Sequence, residues 1–91
     1  MTVCKIVGRI VSTVKDSRLQ GYKLLLCQEM NTELKTKGAL FVAVDCIGAG
    51  EGDTVLVVKG SAAQVAVLAP IDAAIIAIVD TIEKDWEGRG K

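Results

Sequence analysis

The sequence contains no histidine among its 91 residues. Histidine is the commonest general acid and base in enzymes, and its absence excludes Ser-His and Cys-His arrangements for nucleophilic catalysis. Cys4, Cys27 and Cys46 are far apart and form no Cys-x-x-Cys pair, so they lack the spacing typical of zinc ligands. We therefore expect no enzymatic activity, no cofactor and no metal, and three reduced thiols packed as small apolar side chains.

Aromatic residues make up only 3% of the chain, and its charges balance at 11 basic and 11 acidic residues. Barrels that bind single-stranded nucleic acid stack bases on aromatic rings and follow the phosphates with basic side chains, so this composition argues against a nucleic-acid partner. No apolar run reaches the roughly 18 residues that a membrane span needs. Lys5 and Arg9 lie within the N-terminal apolar run, which is unlike a secretory signal, and a cytosolic protein is expected.

Short apolar runs separated by polar and glycine-containing segments predict a fold made of β-strands. The strands are predicted at Val3–Val14, Tyr22–Met30, Ala39–Val44, Thr54–Val58 and Asp72–Ile82. The first strand alternates with period two, and Gly8 within it indicates a bend or bulge. A polar connection is expected over 15–21, and a polar turn over 31–38.

One short helix is predicted over Gly60–Val67, with Ser61 as its cap. Five strands with a helix before the last one predict an all-β fold, a small five-stranded antiparallel barrel of the oligonucleotide-binding (OB-like) type, over residues 1–82. Residues 83–91 form a charged tail that is expected to be frayed except at Trp86.

The stretch Cys46–Asp53 connects two of these strands and contains three glycines within five residues. It is not a phosphate-binding loop, because no Lys-Ser/Thr pair follows the glycines and a strand rather than a helix is predicted after them. Asp45, Gly52 and Asp53 are predicted to shape the loop. The two carboxylates would accept hydrogen bonds from loop N–H groups, and glycine adopts backbone conformations that other residues avoid.

The middle of each predicted strand from the second to the fifth is apolar on both faces. Antiparallel sheets normally bury one face and expose the other to water, and a small barrel has a single interior. Because exposed apolar patches mark partner surfaces, we predict a homo-oligomer with an extensive interface. The alternative is that β-branched residues on the outer face serve strand propensity alone.

Six segments of the chain, in order and at matching spacings, carry a resemblance to a known family. They are Gly8–Lys15, Tyr22–Leu26, Val42–Leu56, Gly60–Ala63, Pro70–Asp72 and Ile76–Asp80. Together they resemble the vertex proteins of bacterial microcompartments, which are shell proteins of carboxysomes and of ethanolamine- and propanediol-utilising compartments. The chain departs from the commonest pattern at Asp53-Thr54, where many members carry an acidic residue and Trp.

The resemblance implies a pentamer with a small central opening that fills the vertices of a polyhedral shell in the bacterial cytoplasm. The partners would be copies of the same chain and the hexameric tiles of the shell facets, with no nucleic acid and no membrane. A flat sheet of hexagons closes only around pentagonal defects, so this function is mechanical and needs no bond chemistry. The type of compartment is left open.

A ring of identical barrels brings some loop close to its axis, where backbones crowd and small residues fit best. Ile47, Gly48, Ala49 and Gly50 have that composition, so they are predicted to lie at or near the pore rim, with Glu51 forming an acidic ring. The alternative is that the glycines only satisfy the geometry of a turn.

Two other functions stay open. One is an OB-type nucleic-acid or small-ligand binding module that homo-oligomerises. The other is a small enzyme with its site between subunits, for which groups such as Lys23, Lys59, Asp72 and Asp80 form no recognisable constellation.

Overall fold

The computed structural model describes residues 1–13, 15–31, 33, 35–67 and 71–83. The elements are β1 (Thr2–Ile10), a 3₁₀ turn (Ser17–Leu19), β2 (Lys23–Met30), β3 (Thr36–Asp45), β4 (Thr54–Lys59), α1 (Ser61–Val67) and β5 (Ala73–Ile78). The 3₁₀ turn lies in the segment predicted as a polar connection. Of the tail predicted over 83–91, residues 84–91, with Trp86, fall outside the described residues.

The strands close into a barrel in the order β1-β2-β3-β5-β4. Pairing is antiparallel except between β3 and β5, which run parallel with Val44 opposite Ala74 and Asp45 opposite Ile75. The predicted five-stranded OB-like barrel with a helix before its last strand is confirmed. The prediction that all strands pair antiparallel is wrong, because β3 and β5 pair in parallel. β4 and α1 separate these two strands in the chain and so allow a parallel crossover.

Strand boundaries differ from those predicted. β1 ends at Ile10 and β5 at Ile78, each four residues earlier than the apolar pattern indicates. A strand extends only as far as a partner supplies hydrogen bonds, and Ile10 already lies opposite Leu24, near the beginning of β2. β3 instead begins at Thr36, inside the predicted turn, because this residue pairs with Met30.

Small and branched side chains fill the barrel interior. The main core cluster comprises Cys4, Ile6, Leu25, Cys27, Ala43, Ala49, Val55, Val57, Ala73 and Ile75. Cys4 and Cys27 pack there as predicted, and burial raises the pKa of both thiols to about 11, so they remain neutral. Cys46 is exposed, and the prediction that it is packed inside is wrong, because it follows the last paired residue of β3.

Two local features complete the barrel. As predicted, β1 carries an irregularity at Gly8, where its register with β2 shifts. α1 packs on β4 and β5, and Ala63 is buried in a second cluster with Val44 and Ala74. The Gly60 carbonyl accepts the Ala63 N–H at 3.1 Å, so Gly60 rather than the predicted Ser61 occupies the cap position.

The neighbours Ile75 and Ile76 provide a test of which side chains fill the interior. Ile75 is fully buried, whereas Ile76 is 37% exposed. Ile75→Ala should lower the free energy of unfolding by about 2–4 kcal/mol because it leaves a cavity, and Ile76→Ala should cost less than about 1 kcal/mol. Urea unfolding of both variants at one protein concentration measures the difference; equal losses would contradict this assignment.

Candidate functional site

The glycine loop, residues 46–53, is organised around the carboxylate of Asp45. Asp45 ends β3 and is the one buried charged residue in the described part of the chain. Its two oxygens accept the backbone N–H groups of Ile47, Gly48 and Ala49, each at 3.2 Å. Three donors from consecutive residues converge on one side chain, so the first half of the loop is fixed by an extended Asx turn.

Lys23 supplies the opposite charge. Its Nζ lies 3.5 Å from Oδ2 of Asp45 and donates a hydrogen bond to the Ala49 carbonyl at 2.7 Å. The two residues are direct partners in the pairing of β2 with β3. The strand register therefore places the ammonium beside the buried carboxylate, which offsets part of the cost of burying that charge.

The second half of the loop is held by Asp53 and by β1. The Gly50 N–H donates to Oδ2 of Asp53 at 2.9 Å, and the Asp53 N–H donates back to the Gly50 carbonyl at 3.0 Å. The Gly52 N–H donates to the Ile6 carbonyl, and the Ile6 N–H donates to the Asp53 carbonyl, both at 2.9 Å. Gly48 and Gly52 have φ of +90° and +92°, a region that favours glycine.

The loop presents only some of its residues to solvent. Ile47, Gly48 and Glu51 are exposed, whereas Ala49 is fully buried in the core of its own barrel. The side chain of Ala49 therefore points into its own barrel rather than towards solvent. The position of residues Ile47–Glu51 near an axis stays a prediction.

The outer face of the barrel is apolar. On β3, Leu40 and Val42 are 50% and 42% exposed. Phe41 lies between them and packs against the core, with its ring centroid 4.1 Å from Nζ of Lys59. The exposed apolar residues on the other strands are Val7, Ile76 and Ile78. The apolar exterior predicted from the two-faced strands is therefore present, and these side chains are available for a partner.

Reactive groups do not gather elsewhere in the described residues. No group of three or more His, Cys, Asp or Glu side chains could hold a metal there, and no buried side-chain N or O atom lacks a hydrogen-bond partner. No helix among these residues has the length and apolar character needed to cross a membrane.

A family comparison identifies the kind of structural barrel. The family model described as ethanolamine utilisation protein EutN/carboxysome matches residues 1–80. The chain belongs to this EutN/CcmL family.

Three relatives show how close the similarity is. The chain is 41% identical over 86 residues to the microcompartment shell vertex protein GrpN of Rhodospirillum rubrum, covering 91% of this chain and 97% of GrpN. It is 43% identical over 86 residues to the carboxysome shell vertex protein CcmL of Nostoc, covering 90% of this chain and 85% of CcmL. It is 39% identical over 85 residues to the shell vertex protein EutN of Salmonella typhimurium, covering 90% of this chain and 86% of EutN.

Solved structures agree with these relationships. The pentameric shell protein GrpN superposes with a TM-score of 0.83 at 42% identity, over 92% of this chain and 98% of that one. Nostoc CcmL gives a TM-score of 0.85 at 42% identity, over 93% of each chain. The family, the fold and the structural function in a microcompartment shell that were predicted from the sequence are confirmed.

Sequence reasoning missed the contribution of Lys23 and the burial of the Ala49 side chain. The position of Lys23 at the start of a predicted strand was visible, but its partner depends on the register between β2 and β3, which no local pattern specifies. Ala49 lies between two glycines, and only the turn geometry set by Asp45 shows that its side chain points into the barrel.

The hydrogen bonds of the two loop carboxylates predict unequal effects on stability. Asp45→Ala leaves three N–H groups without their acceptor and Lys23 without its ion-pair partner, and should lower the free energy of unfolding by about 2–4 kcal/mol. Asp53→Ala removes one acceptor and should cost about 1 kcal/mol. Urea unfolding of both variants provides the comparison, and an Asp53→Ala loss as large as that of Asp45→Ala would refute this ranking.

Proposed function

We propose that five copies of this chain form a ring that occupies the vertices of a microcompartment shell and contacts the hexameric tiles around it. The observation that carries the proposal is the exposed apolar surface of β3, at Leu40 and Val42, on a barrel of the EutN/CcmL family. Solved relatives of high similarity include GrpN, described as a pentameric microcompartment shell protein. A layer of hexagons curves into a closed shell only where pentagons replace hexagons, and a five-membered ring meets that requirement.

A ring requires two different contact surfaces on every subunit. Head-to-tail interfaces join unlike patches, and they close when the rotation between neighbours divides a full turn. Leu40 and Val42 on β3 form one patch, and Val7 on β1 belongs to the other. β1 and β3 flank β2 on opposite sides, so their outer faces point in different directions, as a closed ring demands.

The apolar patches supply a sizeable association energy. Full burial of an aliphatic side chain stabilises by about 1.5–3 kcal/mol. Leu40 and Val42 are already about half buried, so each contributes roughly 1 kcal/mol per interface when a neighbour covers it. The same contact repeats at every interface of the ring, so a change at one position acts several times on the assembly.

The exposed part of the glycine loop, residues Ile47, Gly48 and Glu51, is proposed to lie near the axis of this ring. The bonds that Asp45 and Asp53 make to the loop backbone hold it in one shape, which suits a segment that must approach its own copies closely. Copies of Glu51 would then form an acidic rim around the opening.

Native mass spectrometry of the full chain tests the ring. Five copies of a 9.6 kDa chain are expected, and a monomer at micromolar concentration would overturn the proposal. Val42→Glu should dissociate the ring because it places a charge in the apolar interface, whereas Val65→Glu, on the exposed face of α1, should leave it intact. Circular dichroism confirms that the variants stay folded. A pentamer that tolerates Val42→Glu would remove β3 from the interface.

The loop position has its own test, and Ile47 is suitable because it is 41% exposed. Ile47→Asp near the axis would bring like charges together from every subunit, so the ring should dissociate at low ionic strength and recover at high salt. Val65→Asp adds the same charge on α1 and serves as the control. Sedimentation velocity at low and high salt measures the effect. A ring that is stable in both conditions would place the loop away from the axis.

A further inference from the structure

A groove on the barrel exterior has no assigned occupant. Its volume is about 640 Å³. Its apolar lining consists of Met1, Val3, Met30, Leu56, Val79 and Ile82. Val3 and Leu56 are direct partners across β1 and β4, and their neighbours Cys4, Val55 and Val57 point into the core, so this pair forms an outward-facing floor.

The chain that follows β5 forms one wall of the groove. The Val79 N–H donates to the Thr54 carbonyl at 2.8 Å, which keeps this segment alongside β4. Thr81, Ile82 and Glu83 then line the groove. The described residues therefore end at Glu83, beside this apolar surface. Residues 84–91 continue the sequence from that point.

We propose that this groove binds the indole of Trp86 from the same chain. Trp86 follows Glu83 by three residues, which span at most about 10 Å of extended chain, so the indole can reach the groove without any rearrangement of the barrel. It is the only tryptophan in the sequence and stands among charged and glycine residues. A large apolar side chain in such a segment gains most by covering an apolar surface nearby.

The lining of the groove suits an indole in two ways. Met1 and Met30 provide flexible thioethers, which pack favourably against aromatic rings. A buried indole N–H needs an acceptor, and two acidic residues, Glu29 and Glu83, line the groove.

The single tryptophan makes fluorescence a direct measurement of this contact. Acrylamide quenching of the full-length protein should be several-fold weaker than that of the same protein in denaturant. Ile82→Gln in the wall and Leu56→Gln in the floor should each raise quenching towards the denatured value. Ile82 is 41% exposed, so its substitution leaves the core intact. Val65→Gln, at an exposed apolar residue of α1 outside the groove, should leave quenching unchanged.

Two outcomes overturn the proposal directly: quenching in the native protein as strong as in denaturant, or protection that persists in both groove variants.

A separate mixing experiment tests whether the contact lies within one chain. Ile82→Gln protein is refolded with an excess of Trp86→Phe protein, so that only the groove variant carries tryptophan. Its indole should remain accessible, and protection in the mixture would instead assign the indole to a neighbour's groove. Oligomeric state is measured separately, so failure here leaves the pentamer proposal untouched.

Discussion

A closed barrel of five short strands encloses a narrow space, and that limit governs the rest of the molecule. The interior takes mainly Cys, Ala, Val and Ile, with Leu25 and Ile75 among its largest side chains. Apolar residues make up 51% of the chain, more than this interior holds, and among the described residues some, such as Leu40 and Val42, lie on the outer face. Exposed apolar surface is unfavourable for an isolated barrel, and its burial between subunits supplies association energy in a ring. Folding and assembly therefore depend on the same class of residue.

Asp45 connects the barrel to the glycine loop. It lies where β3 ends, beside Lys23 of β2 and opposite Ile75 of β5, so three strands meet at one carboxylate. A buried charge is tolerated only when it is paired and hydrogen-bonded, and here three loop N–H groups and an ammonium satisfy it. The glycine loop is consequently shaped by the barrel before any neighbouring subunit arrives. In the proposed ring, such a preformed loop would lose less conformational entropy when copies assemble around it.

The sequence predicted the features that depend on local pattern. Alternation in β1, continuous apolar runs in β2 to β5 and the alanine-rich segment of α1 were sufficient for strand number, helix position and fold. The carboxylates flanking the glycines were also recognisable from their places in the chain. Strand ends, the parallel pairing of β3 with β5, the Lys23–Asp45 contact and the inward side chain of Ala49 depend on register and turn geometry, which are set by distant residues. Cys46 illustrates the same limit, because its exposure depends on where pairing in β3 stops.

Charge balance completes the physical case for a ring of this barrel. The chain carries equal numbers of acidic and basic residues, so bringing copies together adds no net long-range repulsion, whereas a charged subunit would oppose its own assembly. Repulsion in the proposed ring would then arise only from local arrangements, such as copies of Glu51 around an opening. Such repulsion is screened over about 8–10 Å at moderate ionic strength, which confines it to the rim. In the proposed ring, an apolar interface with a small acidic rim would hold the subunits together while keeping the opening polar.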